Sequence, residues 1–269
     1  MGVQSISIPQ GLANALNAAG NRNGVDFDYL LQTAIRESSL DPQARASTSS
    51  AVGLFQFLEG TWLQVMKEEG PRLGYQSFAS AISRTSEGDY VVADSSTRAQ
   101  ILKLRENPQI AADLAAAFTR SNGDHLRKEF GRMPSAGELY IAHFLGAQGA
   151  EKMFRAGLEN PDQLAISLFP RQAAANRAIF FNADGEARTI REVYKVLVAK
   201  HDFSAGSEFA VQQMTGENGP PIAVPEPVPS RFSENNVSFS GLFQNAPPSE
   251  ANSDVDLSGT TFFTQLYNR

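Results

Sequence analysis

The sequence predicts an all-α fold, a helical domain over residues 8–202 followed by a largely disordered tail over 203–269, and three observations predict it. Apolar residues recur at helical spacing along the first 200 residues. Helix-start signatures follow one another with only short Gly, Asn and Pro punctuation between them, and no convincing alternation of strands appears. After His201 the composition turns to Pro, Ser, Asn and Glu, too poor in apolar periodicity to pack a core.

The first well-marked helix carries Phe27, Leu30, Leu31, Ala34, Ile35 and Ser38 on one stripe, with Asp26 as N-cap. Glu37 stands seven positions beyond Leu30 and returns to almost the same angle, so an acid lies on the apolar stripe. Asn107-Pro108 before "QIAADLAAAFTR" and Asn160-Pro161 before "DQLAISLF" read as cap-plus-proline starts. Ser135 with Glu138 and Thr189 with Glu192 read as capping boxes opening "AGELYIAHFLG" and "IREVYKVLVAKH". Asn122-Gly123 and residues 131–134 read as breaks between helices.

The chain of 269 residues can bury a sizeable core, and 42% hydrophobic against 19% charged residues fits a globular domain. A net charge of −6 gives no basic footprint, which argues against a nucleic-acid partner. The absence of cysteine excludes disulfides, thiol catalysis and cysteine-based zinc sites and leaves the compartment open. The opening "MGVQSISIPQGLANALNAAG" lacks the basic and uninterrupted apolar segments of a secretory leader. No run approaches the roughly 18–20 apolar residues of a membrane span, so no transmembrane segment is expected. His125, His143 and His201 show no metal spacing, and neither a metal nor a cofactor is expected. No phosphate loop or Gly-x-Ser-x-Gly elbow is present.

A carboxyl group on an apolar face loses hydration when ionised, so it retains its proton to higher pH and can serve as a general acid. Protonation of a glycosidic oxygen is the reaction that most often needs such a group. Periodicity alone leaves a second reading, a helix-terminal Glu37 turned to solvent or capping a neighbouring helix.

The company of Glu37 bears on the choice. "ESSLDPQARASTSSAVGLFQF" resembles the signature of the lysozyme-like lytic transglycosylases, the soluble-lytic-transglycosylase group related to goose-type lysozyme. Glu37-Ser38 matches the acid and its partner, Asp41-Pro42 and Ala44 follow, Ser47 and Ser49 match the loop serines, and Gly53-Leu54-Phe55-Gln56 matches the glycine-glutamine run. Phe57 and Thr61-Trp62 fit as well. Downstream, where the family carries Ala-Tyr-Asn-x-Gly, this chain has Ala142-His143-Phe144-Leu145-Gly146, a form similar to that of phage-type and some proteobacterial members. The resemblance covers residues 27 to about 155.

The resemblance implies a lysozyme-like helical fold and cleavage of the β-1,4 bond between N-acetylmuramic acid and N-acetylglucosamine, with Glu37 first donating a proton and then accepting one as a 1,6-anhydro ring closes. It makes peptidoglycan strands the partner and the periplasm or cell envelope the place of action, although no leader is visible. The substrate-binding candidates are Ser38, Ser47, Ser49, Gly53, Phe55, Gln56, Phe57, Tyr140 and His143. Gly53 would let backbone approach a sugar, Gln56 would bond an N-acetyl group, and Phe55, Phe57 and Trp62 would offer flat faces, with core packing the alternative for at least one of the three. The serines read as partners of Glu37 or the substrate, or as ordinary turn serines. Tyr140 or His143 would contact Glu37, with a core role the alternative for His143. Asp41, before a proline, reads as a turn residue, and neither it nor Glu59, Glu68 or Glu69 sits in a motif for a second catalytic acid. A hydrolytic muramidase on the same fold, or a non-catalytic wall-binding or assembly protein, are the rival readings. The terminal "FFTQLYNR" reads as a docking motif for a protein partner, as a segment that folds back on the domain, or as plainly disordered chain.

Overall fold

The computed structural model describes residues 8–47 and 49–201, and within them the architecture is helical. In chain order, α1 (Gln10–Asn23) and α2 (Phe27–Ser38) are followed by a long irregular loop, then α3 (Glu59–Glu69) and α4 (Gln76–Ser80). A two-stranded hairpin, β1 (Ser83–Arg84) with β2 (Tyr90–Val91), precedes α5 (Ser95–Lys103), a single 3₁₀ turn at Leu104–Glu106, and the long α6 (Pro108–Phe130). The second half holds α7 (Ala136–Leu145), α8 (Ala147–Glu159), three short helices, α9 (Ala165–Leu168), α10 (Pro170–Ala175) and α11 (Arg177–Phe180), and finally α12 (Ile190–His201). Among the described residues no helix is long and apolar enough to cross a membrane.

The starts of three helices follow from their caps. The Asn107 side chain accepts from the backbone N–H groups of Gln109 and Ile110, with Pro108 at the first helical position, so orphan donors at the start of α6 are satisfied. Ser135 and Glu138 close a full capping box on α7, and Glu192 Oε2 accepts from the Thr189 N–H at 2.7 Å at the start of α12. Asp26 does occupy the N-cap position of α2, in extended conformation, but makes no side-chain capping hydrogen bond there.

Two apolar clusters meet along α6. The first gathers α1, α2, α3 and the first half of α6 around Leu16, Leu30, Trp62, Met66 and Leu114. The second packs α7, α8, α11 and α12 around Tyr140, Phe154, Phe180, Tyr194 and Leu197, with Leu126 of α6 in the same cluster. Five buried alanines, Ala111, Ala112, Ala115, Ala116 and Ala117, line the first half of α6, and α1 lies along this helix. Short side chains permit that close approach.

Three expectations are corrected. Asn122-Gly123 does not break a helix, because both residues are buried within α6. The glycine costs about 1 kcal/mol against alanine, and burying a leucine such as Leu114 or Leu126 on the same helix contributes about 2 kcal/mol each. Asn160-Pro161 opens a turn, and the helix expected after it begins only at Ala165, as the four-residue α9. Asn160 ends α8, and the next residues form a turn tied to the start of α12 and the residues just before it: Arg191 N donates to Pro161 O at 3.0 Å, Ile190 N to Gln163 O at 2.8 Å and Ala165 N to Arg188 O at 3.0 Å. The hairpin is the third difference, with strands of two residues each, too short to show a period of two. Residues 131–134 do separate helices, Gly131 closing α6 in the left-handed region at φ 68°. The expected tail over 203–269 and its aromatic motif lie outside the described residues.

Candidate active site

Glu37 ends the buried stripe of α2 and is 1% exposed. Neither of its carboxyl oxygens has a hydrogen-bond partner. Burial pushes its pKa up from 4.5 to about 8, with the positive charge of Arg36 acting in the opposite direction. The group therefore stays protonated in neutral solution. An uncharged carboxyl group is the form that a protein interior tolerates without an ion partner.

Three elements surround it. On α2, Tyr29 and Thr33 stand eight and four residues before Glu37, and Tyr29 is close enough for the acid's charge to disfavour its phenolate. Across from α2, α7 brings Tyr140 and His143. The Arg36 guanidinium carbon lies 4.7 Å from the centroid of the Tyr140 ring, and Tyr140 stacks on His143 with centroids 6.3 Å apart. On α6, Phe118 meets His143 at 6.0 Å, and Thr119 faces the Tyr29 phenol. Burial and the Arg36 charge push His143 down to about 3, so its imidazole is neutral. Burial raises the phenol of Tyr140 far above its ordinary value, and the nearby Glu37 charge adds to that rise, so Tyr140 keeps its proton. The site thus consists of a protonated acid, two neutral phenols, a neutral imidazole and one guanidinium.

The loop after α2 holds the end of that helix in place. Ser39 and Leu40 take left-handed conformations, φ 53° and 67°, and their N–H groups return to Ile35 O and Ala34 O at 2.8 and 3.3 Å. Gly53 N donates to Ala44 O at 2.8 Å, and Val52 N to Phe57 O at 3.2 Å, so the loop folds on itself. Arg105, a residue without a sequence signal, fastens it from outside: Nη1 donates to Ser50 O at 2.6 Å and Phe57 O at 3.0 Å, and Nε to Leu102 O at 3.0 Å. Burial lowers the Arg105 pKa to about 10, which still leaves it charged at neutral pH.

Several of the expected substrate contacts turn inward instead. Ser38 Oγ lies 2.8 Å from Leu54 O and 3.1 Å from Ala34 O, so its proton serves the backbone and not Glu37. Ser49 Oγ accepts from Ala51 N at 3.1 Å in a local turn, and Ser47 is exposed on the loop. Gln56, itself left-handed at φ 46°, directs Nε2 to Gly53 O at 2.9 Å and Ala44 O at 3.1 Å. Gly53 is required by the protein itself: at φ 84°, an added Cβ would stand 2.1 Å from Arg105 O. Phe55, Phe57 and Trp62 are all buried in the first apolar cluster. Phe57 meets Trp62 edge to face at 5.2 Å, and the indole N–H donates to Ile101 O at 2.8 Å, which closes these faces to a ligand.

The acids weighed as second catalytic groups have partners of their own. Asp41 Oδ1 accepts from Gln43 N at 2.8 Å, as a turn residue should. Glu59 pairs with Arg98, Glu68 accepts from the Tyr90 hydroxyl, and Glu69 binds Arg72 and Arg120 at 3.0 and 3.1 Å. Arg36, Tyr29 and Thr119 are the site residues that sequence reasoning missed. Tyr29 shares the helical stripe of Glu37 and was open to detection by spacing, whereas Thr119 arrives only by the packing of α6.

Residues 14–80, which include Glu37, Ser38, Gly53 and Gln56 but neither Tyr140 nor His143, match the family model of the Transglycosylase SLT domain.

Proposed function

We propose that the protein is a peptidoglycan lytic transglycosylase with Glu37 as its single acid and base. The observation that carries this reading is the buried Glu37 carboxyl, unpartnered and protonated at neutral pH, in a segment matched by a transglycosylase domain. Protonated Glu37 gives its proton to the glycosidic oxygen between muramic C1 and glucosamine C4, and the bond from C1 to that oxygen breaks through an oxocarbenium-like state. The resulting carboxylate takes the proton of the muramic C6 hydroxyl, O6 bonds to C1, and Glu37 is again protonated. Proton and electron pairs balance without water. The other acids, each engaged elsewhere, support a mechanism that needs no second carboxylate. Tyr140, held as a neutral phenol, is the candidate donor to the substrate beside Glu37. With Glu37 at 1% exposure, a glycan strand reaches the acid only after neighbouring side chains shift. Peptidoglycan is the implied substrate and the cell envelope the implied place of action.

Digestion of purified sacculi, with the released muropeptides identified by mass, tests the reading. Products lighter by one water than hydrolysis products and resistant to borohydride are expected. Reducible products would reassign the protein as a muramidase, and failure to release any product would favour a wall-binding or assembly role.

A further inference from the structure

Arg36 adjoins Glu37 on α2, and its positive charge opposes the rise that burial gives the acid's pKa. The acid's charge also acts on Tyr29 of α2 and Tyr140 of α7, and His143 stacks on Tyr140, but phenols and imidazole are uncharged at neutral pH, and Thr119 of α6 does not ionise. The guanidinium rests over the Tyr140 ring at 4.7 Å from the centroid, with Nη1 and Nη2 buried. This arrangement fixes the charge in place: a planar cation on an aromatic face keeps a narrow range of positions.

A single acid and base faces a demand that a two-carboxylate site divides between its members. Between the two proton transfers Glu37 is an anion in an apolar setting, where an ionised carboxylate is costly. We propose that Arg36 is a positioning residue of this reaction: held over the Tyr140 ring, it keeps a positive charge beside Glu37 during the interval in which the acid has lost its first proton and has not yet taken the second. The inference rests on the reading of Glu37 as acid and base. Its physical content is that Arg36 opposes the rise that burial imposes on the Glu37 carboxyl and so makes it a stronger acid than burial alone would leave it.

The test is a carbon-13 NMR titration of the Glu37 carboxyl, assigned through Glu37→Gln, in the wild type and in Arg36→Gln, Arg36→Met and Arg36→Lys, alongside the pH profile of kcat/KM on sacculi. In the neutral variants Glu37 should titrate about one pH unit higher, and the alkaline limb of the profile should move with it. The low-pH plateau should fall severalfold as the acid weakens. Arg36→Lys, which retains the charge, should leave the titration near its wild-type position. A merely structural role would lower the rate at every pH without moving the limb. Anhydro products from the wild type together with an unmoved Glu37 titration in whichever neutral variant folds would overturn this proposal alone. A wild type that makes no anhydro product would overturn it together with the reading on which it rests.

Discussion

Glu37 and His143 have opposite effects on the pH dependence of stability. Glu37 holds its proton up to about 8 in the folded chain, against an ordinary value of 4.5. Between those values the folded state binds the extra proton, so this group's contribution is full below pH 4.5 and lost as pH rises to 8, a change of roughly 5 kcal/mol at most. His143 is pushed from 6.5 down to about 3, so the unfolded state takes up its proton first and stability falls as pH drops across that window. The two slopes cancel between about 4.5 and 6.5. Thermal melts at stepped pH should therefore show that Glu37→Gln removes a decline seen in the wild type from pH 6.5 to 8, while His143→Gln removes one below 4.5. A wild-type decline surviving in Glu37→Gln would show that the acid is not buried and neutral. The same Glu37→Gln variant should lose at least about a hundredfold in sacculus cleavage, the scale of a lost general acid. Wild-type activity should fall as pH passes about 8.

At the scale of elements, the loop between α2 and α3 is the part of the protein whose residues mean something different in space from what they suggest in a row. Gly53, Gln56 and Ser38 read as groups that meet a sugar, yet they bond the loop to itself, to Arg105 and to the end of α2. They act on Glu37 by fixing the helix terminus that carries it. Gly53→Ala should accordingly destabilise by about 3 kcal/mol or more, since it combines a positive φ with a Cβ 2.1 Å from a carbonyl oxygen. Its melting temperature should drop, and cleavage should fall at temperatures where the fold is still intact. Asn107→Ala, which removes two cap acceptor bonds at the start of α6, should cost only about 1 kcal/mol and leave cleavage unchanged at 25 °C. Caps were legible because they are local: Asn107, Ser135 and Thr189 satisfy backbone groups within three residues of themselves. The short helices after α8 were not, because residues 161–165 take their conformation from bonds to residues 188–191.

Across the whole molecule, α6 joins the two apolar clusters, and the candidate site lies where α2 of the first approaches α7 of the second. Residues 14–80 include only part of this arrangement, since Ile101, Ala111, Ala112 and Leu114 complete the first cluster from beyond that segment. A fragment of residues 8–80 should give a disordered circular dichroism spectrum and no cleavage, and residues 8–202 should retain both helix signal and activity. Folding of the shorter fragment would show that α6 is dispensable to the first cluster.

The sequence by itself determined the helical class, three capped helix starts and the position of Glu37 on an apolar stripe, because each depends on residues at most a few turns apart in one chain segment. It also carried the resemblance that pointed to a wall-degrading enzyme. Only the tertiary structure decided that Trp62, Phe55 and Phe57 are core, that Gly53 makes room for Arg105, and that Arg36 lies on Tyr140 beside the acid. Those outcomes depend on which surfaces of distant elements exclude water from one another, and a periodicity that reports which face is apolar contains no information about which partner will cover it.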